Sequence, residues 1–169
     1  MTAKSWEENP PRQVGETRSP LVLGVIGGET SMALSTEGAG ALAAAVNGDK
    51  FIIKNEIYLR LEEITGTCPA NLAVYISLPG DPGKAETEQH LAGIIGLFGI
   101  TQSSRRGNDG EGGAGMSFSL KISDLLTRLI REAGRIPPQL RIHLSYTRSP
   151  NSEVSIRIGK IRLLSYVSS

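Results

Sequence analysis

Six stretches of this chain alternate apolar and polar residues with a period of two, and that period restricts the fold more than any other feature. Leu21, Leu23 and Val25 form the first series, and Gly27-Gly28 stops it. Ile57, Leu59 and Leu61 alternate with Tyr58, Arg60 and Glu62, and Val74, Ile76 and Leu78 alternate with Tyr75 and Ser77. Met116, Phe118, Leu120 and Ile122 are interleaved with Ser117, Ser119 and Lys121. Leu140, Ile142, Leu144 and Tyr146 are interleaved with Arg141, His143 and Ser145. Val154, Ile156 and Ile158 close the set, and Gly159 marks a bulge after which Ile161 and Leu163 resume in shifted phase. Successive side chains of a strand point to opposite faces, so each series puts one face on a core and the other in water. With Ser31–Ser35 as a short strand and residues 91–100 as a more fully buried one, there are about seven or eight strands separated by turn signals. The fold class is therefore mainly β: an antiparallel β-sandwich, jelly-roll or immunoglobulin-like, with one or two short helices.

Two segments break the two-residue period. Residues 36–46 are rich in alanine (GAGALAAAV) and end at Asn47-Gly48, which reads as a short helix and a stop. Leu125, Leu126, Leu129, Ile130 and Ala133 form an apolar stripe at helical spacing, Ser123 stands as its cap and Asp124 suits its positive end. Gly134 and Pro137-Pro138 end that helix, whose stripe is expected to pack on a sheet edge or across an open end of the sandwich.

The length of 169 residues suits one domain. Residues 1–20 hold Pro10, Pro11 and Pro20 among polar and charged residues and read as a flexible tail or linker, with Trp6 inside it; residues 21–169 form the domain. Residues 103–115 read as a long polar loop. The 18 basic and 17 acidic residues leave a net charge of +1, which gives no field to draw in nucleic acid or an anionic membrane. No apolar run approaches the ~18 residues of a membrane span. The first twenty residues lack the apolar core of a secretory signal, so a cytoplasmic protein is expected. One cysteine excludes an intrachain disulfide framework, and two histidines cannot build a histidine-rich metal centre alone.

The remaining motifs point to no catalytic, cofactor or metal residue. Residues 38–43 (GAGALA) fit a dinucleotide fingerprint, with Glu62 and Glu63 downstream, but that mechanism needs a buried parallel strand before the glycines and βαβ units after them. Strand follows strand here, so the stretch reads as a small-residue helix packed close to a sheet. Residues 80–84 (GDPGK) lack phosphate-loop spacing, and Pro82 removes an amide donor, so they read as a hairpin turn. His90 and His143 are far apart and unsupported by other ligand types; Cys68 has no base beside it in sequence; Arg105-Arg106 sit in a polar loop.

Five blocks in order resemble the domain that follows the copper-binding unit in bacterial tyrosinase-like proteins. Residues 56–66 (EIYLRLEEITG) resemble its "YLxLExIxG" strand, residues 73–79 (AVYISLP) its "VYVNLP" strand, and residues 90–100 (HLAGIIGLFGI) its "HxxGxxxxFGI" block. Residues 19–31, with Gly-Gly-Glu-Thr-Ser, resemble the entry strand, and residues 122–126 (ISDLL) its "ITDLL" helix start. Plant polyphenol oxidases have a related C-terminal domain. The resemblance runs over residues 18–166 and implies a β-sandwich that covers or regulates a dicopper catalytic unit. That unit is a four-helix bundle with histidine-bound coppers; nothing in this chain resembles it, and no histidine ligand carries over. In latent family members a placeholder side chain enters the copper site; no residue here aligns with it, and Phe98 reads as core.

The expected function is thus a non-catalytic accessory or shielding domain whose partner is a separately encoded tyrosinase-type catalytic subunit, with no cofactor of its own. The alternative is a free-standing β-sandwich binding module for a protein or carbohydrate, for which the aromatic content of 5% offers few platforms. An enzyme built on Cys68 or a histidine has the least support.

Overall fold

The computed structural model describes residues 11–47, 55–67, 69–79, 88–104, 115–148 and 155–167. Among these described residues nine strands are joined in one antiparallel sheet. They are β1 (Arg12–Glu16), β2 (Leu21–Leu23), β3 (Gly28–Leu34), β4 (Asn55–Gly66), β5 (Asn71–Ser77), β6 (Leu91–Gly96), β7 (Met116–Lys121), β8 (Gln139–Tyr146) and β9 (Ile156–Val167). The order across the sheet is β6-β5-β8-β3-β1-β9-β4-β7, and β2 pairs with β9. Helices are α1 (Thr36–Asn47), α2 (Ile100–Ser104) and α3 (Ser123–Ala133), with a 3-10 turn at Glu88–His90.

The mainly β, antiparallel class holds. The layers of the sandwich belong to a single sheet that curls until its edges approach. A Cβ built on Gly93 of β6 would lie 2.9 Å from Leu120 Cδ2 of β7, so the two edge strands nearly close the ring. Register shifts at Gln13/Gly15, Leu61/Ile64 and Val74/Tyr75 supply extra twist for that closure.

The predicted alternation is realised as burial. Ile57, Leu59 and Leu61 of β4, Leu72, Val74 and Ile76 of β5, and Leu140, Ile142 and Leu144 of β8 are fully buried in one core. The expected shift at Gly159 is shared by two strands. Leu61 faces Ile161 and Ile64 faces Ile158, so β4 and β9 both skip a step and keep their apolar faces inward. Glu63 takes a left-handed φ of 55° there, and its side chain lies over Gly159, where a Cβ would be 2.7 Å from Glu63 Cβ.

Both long helices follow strands that end at the same end of the curled sheet. Ser35 caps α1: its Oγ accepts the Gly38 N–H at 2.8 Å. At α3 the expectation changes. The cap position is Ile122, and no side chain caps it. The Ser123 hydroxyl instead accepts the Ile57 N–H at 2.8 Å, because Ser123 falls one residue inside the helix and against the start of β4. Arg128 donates to the Gln89 carbonyl, so α3 spans from β4 to the entry of β6 and closes this end, as its stripe implied. Leu126, Leu129 and Ile130 enter the core; Ala133 is exposed. Gly134 ends the helix in the left-handed conformation, with φ 76°.

Three readings are corrected. Part of the segment assigned to a tail is structural: β1 lies between β3 and β9, Val14 is fully buried, and Thr17 exchanges bonds with Ile161 at 2.9 and 3.1 Å. One apolar residue in RQVGE gives no readable period, and two neighbouring strands make the strand. Residues 91–100 are not a buried run, because β6 is an edge strand that leaves Ile94 in water. Phe98, read as core, is exposed, since the chain has already left the sheet after Gly96.

Candidate functional site

The structure disperses the candidate residues. His90 is buried in the 3-10 turn, while His143 lies half-buried on β8 with its ring 6.2 Å from that of Tyr75 on the paired strand. Among the described residues no three His, Cys, Asp or Glu side chains converge on one point. Trp6, Cys68, the turn at 80–84 and Arg105-Arg106 lie outside the described residues. The described residues therefore assemble no ligand set for a copper pair.

The GAGALA stretch has a structural explanation. A Cβ on Gly38 would stand 2.2 Å from the Val14 carbonyl oxygen and 2.7 Å from Val14 Cα, so α1 rests directly on the β1 backbone. The Gly38 amide is taken by Ser35, so this helix start does not present it to a phosphate. The small-residue helix close to a sheet, read from sequence, is what forms.

Glu62 and Glu63 also serve the sheet. On the outer face of β4 and β9, Glu62 Oε1 lies 2.6 Å from Arg60 Nε and accepts a hydrogen bond from Arg162. Burial alone would raise this carboxyl; the hydrogen bonds and charges of Arg162, then Arg60, outweigh it and hold the pKa below its ordinary 4.5. A lowered folded pKa contributes stability that is complete above the unfolded value and is lost as pH falls through the folded one. Glu62→Gln is therefore expected to lower the melting temperature by a constant amount above about pH 5.5, with the gap to the unsubstituted protein closing toward pH 3. Melting curves across that range check it; a gap that widens in acid contradicts it. Nearby, Tyr58 donates to Glu56 Oε2 at 3.2 Å and meets Tyr166 edge-on at 5.4 Å; burial, then the Glu56 hydrogen bond, raise its hydroxyl pKa.

The feature that the fold leaves unexplained is apolar. At the end opposite the long helices, β2 and β3 are joined by a tight turn in which Gly24 and Gly27 exchange backbone bonds at 2.9 and 3.3 Å. Its tip residues are Val25, 77% exposed, and Ile26, 87% exposed. Val25 was expected to continue the inward series of Leu21 and Leu23; the turn removes it from the sheet. Turn tips ordinarily carry Gly, Asn, Asp or Ser. Val22 on β2 is 62% exposed beside them.

Three strands away, at the same end, Ile94 is 59% and Phe98 75% exposed. The register connects the two groups. Ile94 pairs with Ala73 and Ala73 with Ser145, and a Cβ on Gly27 would lie 3.0 Å from Ser145 Cα. The Phe98 ring is 3.3 Å from a Cβ built on Gly96, two residues along the face from Ile94. Ala73 alternates with the core residues Leu72 and Val74, so this row lies on the outer face. Ala73 and Ser145 between them are buried, at 4% and 9% exposure, so the exposed apolar side chains form two groups flanking this row. The sequence signal of the first group was GVIGG, two apolar residues held between glycines.

Comparison with known proteins finds a similarity to a tyrosinase, as the strand motifs implied. It is 26% identical over 154 residues to tyrosinase HcTyr1 of Hahella sp. (strain CCB-MM4), which takes in 91% of this chain and 30% of that protein. The chain thus spans less than a third of that relative's length. Among solved structures it is similar to a recombinant latent aurone synthase, a polyphenol oxidase, at 10% identity and a TM-score of 0.47, covering 94% of this chain and 26% of that one. It is also similar to latent apple tyrosinase at 14% identity and a TM-score of 0.42, covering 92% and 27%. Residues 11–166 match one domain family from the start of β1 to near the end of β9, and the chain belongs to that family, the domain of unknown function DUF7868.

Proposed function

We propose that this chain is a non-catalytic accessory domain of a tyrosinase-type dicopper oxidase, which shields or regulates a catalytic partner. The observation that carries the reading is the extent of the tyrosinase match: nearly all of this chain, but 30% of the relative. The chain corresponds to one part of such a protein, and the remainder of the relative is a larger unit to which that part belongs. The residue inventory supports the same division. Two histidines cannot furnish a pair of histidine-bound coppers, and the antiparallel sheet is not a ligand-bearing helix bundle.

The test is a chimaera in which this chain replaces the matching segment of the Hahella tyrosinase, with a protease site at the junction. Phenol oxidation is expected to be suppressed in the intact chimaera and to rise about tenfold or more after cleavage and removal of the domain, a change of about 1.4 kcal/mol in effective barrier or occupancy. Equal rates before and after, with full copper loading in both, would sink the reading. The isolated chain is expected to oxidise no phenol, with or without added copper.

A further inference from the structure

We infer that the band formed by Val22, Val25 and Ile26 on one side and Ile94 and Phe98 on the other is the face that docks on the catalytic unit. This rests on the accessory-domain reading and adds the surface to it.

Four observations converge. The five large exposed apolar side chains of the described residues gather at one end and face of the sheet, where isolated ones would be scattered. β6 to β3 spans three strand spacings, about 14 Å, so the two walls lie within one interface footprint. The opposite end is already filled by α1 and α3.

The exposure is also built rather than frayed. Gly27 has φ 118°, and a Cβ there would fall 2.1 Å from the Leu144 carbonyl, so the turn is seated on β8 and carries Val25 and Ile26 as a fixed knob. Two β-branched residues at that tip gain no burial from the fold of this chain, whereas an apolar recess in a partner would bury them. Rigid anchors lose little entropy on docking, which is where interfaces draw most of their affinity.

The occupant follows from the relative. There a segment similar to this chain is 30% of a longer tyrosinase, so a unit more than twice its size is joined to it. A contact face between the two is needed, and these five are the large apolar side chains that the described part of the domain leaves exposed. The ion pairs on β4 and β9 lie elsewhere, and the one on the strands next to the band, Glu29 with Arg141 at 3.1 Å, is internally neutral.

Hydroxyl-radical footprinting of the chimaera against the isolated chain tests the surface directly, because Val, Ile and Phe side chains are oxidised in proportion to exposure. Oxidation of Val25, Ile26, Ile94 and Phe98 is expected to fall several-fold in the chimaera, while that of Tyr58 and Tyr166 stays the same. The triple variant Val25→Ser, Ile26→Ser, Phe98→Ser is expected to keep its fold by circular dichroism and to release the suppressed oxidation about tenfold without cleavage. Protection at another face, with suppression intact in the triple variant, overturns the surface and leaves the accessory role standing. No protection anywhere and no suppression overturn both. An isolated chain that sediments as a dimer, and as a monomer once the triple variant is made, overturns the inference by giving the face to a second copy.

Discussion

Gly38→Ala is expected to destabilise the protein by about 3 kcal/mol, although alanine is the better helix former by about 1 kcal/mol. The reversal comes from packing. The added Cβ would lie 2.2 Å from the Val14 carbonyl oxygen and 2.7 Å from the Val14 carbonyl carbon and Cα, all backbone atoms of a strand held by neighbours on both sides. No rotamer change relieves that contact, so α1 must lift off the sheet. Lifting it also disturbs the Ser35 cap and the Ser35 N–H bond to the Val14 carbonyl at 3.1 Å. Gly40 in the same helix is the control, since a Cβ there meets nothing within 4 Å. Gly40→Ala is expected to stabilise by up to about 1 kcal/mol. Urea denaturation of the two variants checks the pair. Equal effects of the same sign would show that the helix does not rest on β1.

Gly27→Ala is expected to have an effect as large or larger, about 3 to 4 kcal/mol. Two costs add at this position. The φ of 118° is one that residues with a Cβ avoid, and the Cβ itself would fall 2.1 Å from the Leu144 carbonyl oxygen. Gly134 separates the two. It has φ 76° at the end of α3 and open space around it, so Gly134→Ala carries strain alone, about 1 kcal/mol. The difference between the two variants isolates the seating of the turn on β8. Thermal unfolding measures it, and similar losses would mean that the turn is not anchored. A Gly27→Ala protein that remains folded should also lose docking, because the Val25-Ile26 knob would shift.

Much of the fold was legible in the residues. Period-two alternation located β4, β5, β7, β8 and β9, since alternate residues of each turn toward the core, although Ala73 and Ser77 on the other face of β5 are buried as well. Helix α3 was legible from its stripe and its closing Gly134, and α1 from its alanines. The slip in apolar phase at Gly159 was legible, but the bulge expected there does not form against β4: the pairing runs in one register from Leu61–Ile161 to Ile64–Ile158, because Glu63 and Gly159 are passed over together. Strand β1 was not, since a strand paired on both sides needs little apolar sequence of its own. Val25 and Phe98 were misplaced for one reason: an apolar residue in phase with a strand is inward only while the strand lasts. The turn after Gly24 and the departure after Gly96 end the strands before those residues are reached.

The candidate docking face was accordingly hidden. Its members come from β2, the turn after it, β6 and the residue Phe98 just beyond β6, with Ala73 and Ser145 between, and Val22 and Phe98 are far apart in the chain. The sequence alone determined the class of fold, the lack of a histidine set for copper, and the tyrosinase-related strand motifs. These rest on local period and on residue inventory, which need no tertiary information. Only the tertiary structure decided that the layers are one curled sheet, that Gly38 and Gly27 are glycines because backbone passes where a Cβ would be, and that five apolar side chains share one uncovered end. Strand order sets those relations, and strand order is a property of long-range pairing that no local pattern encodes.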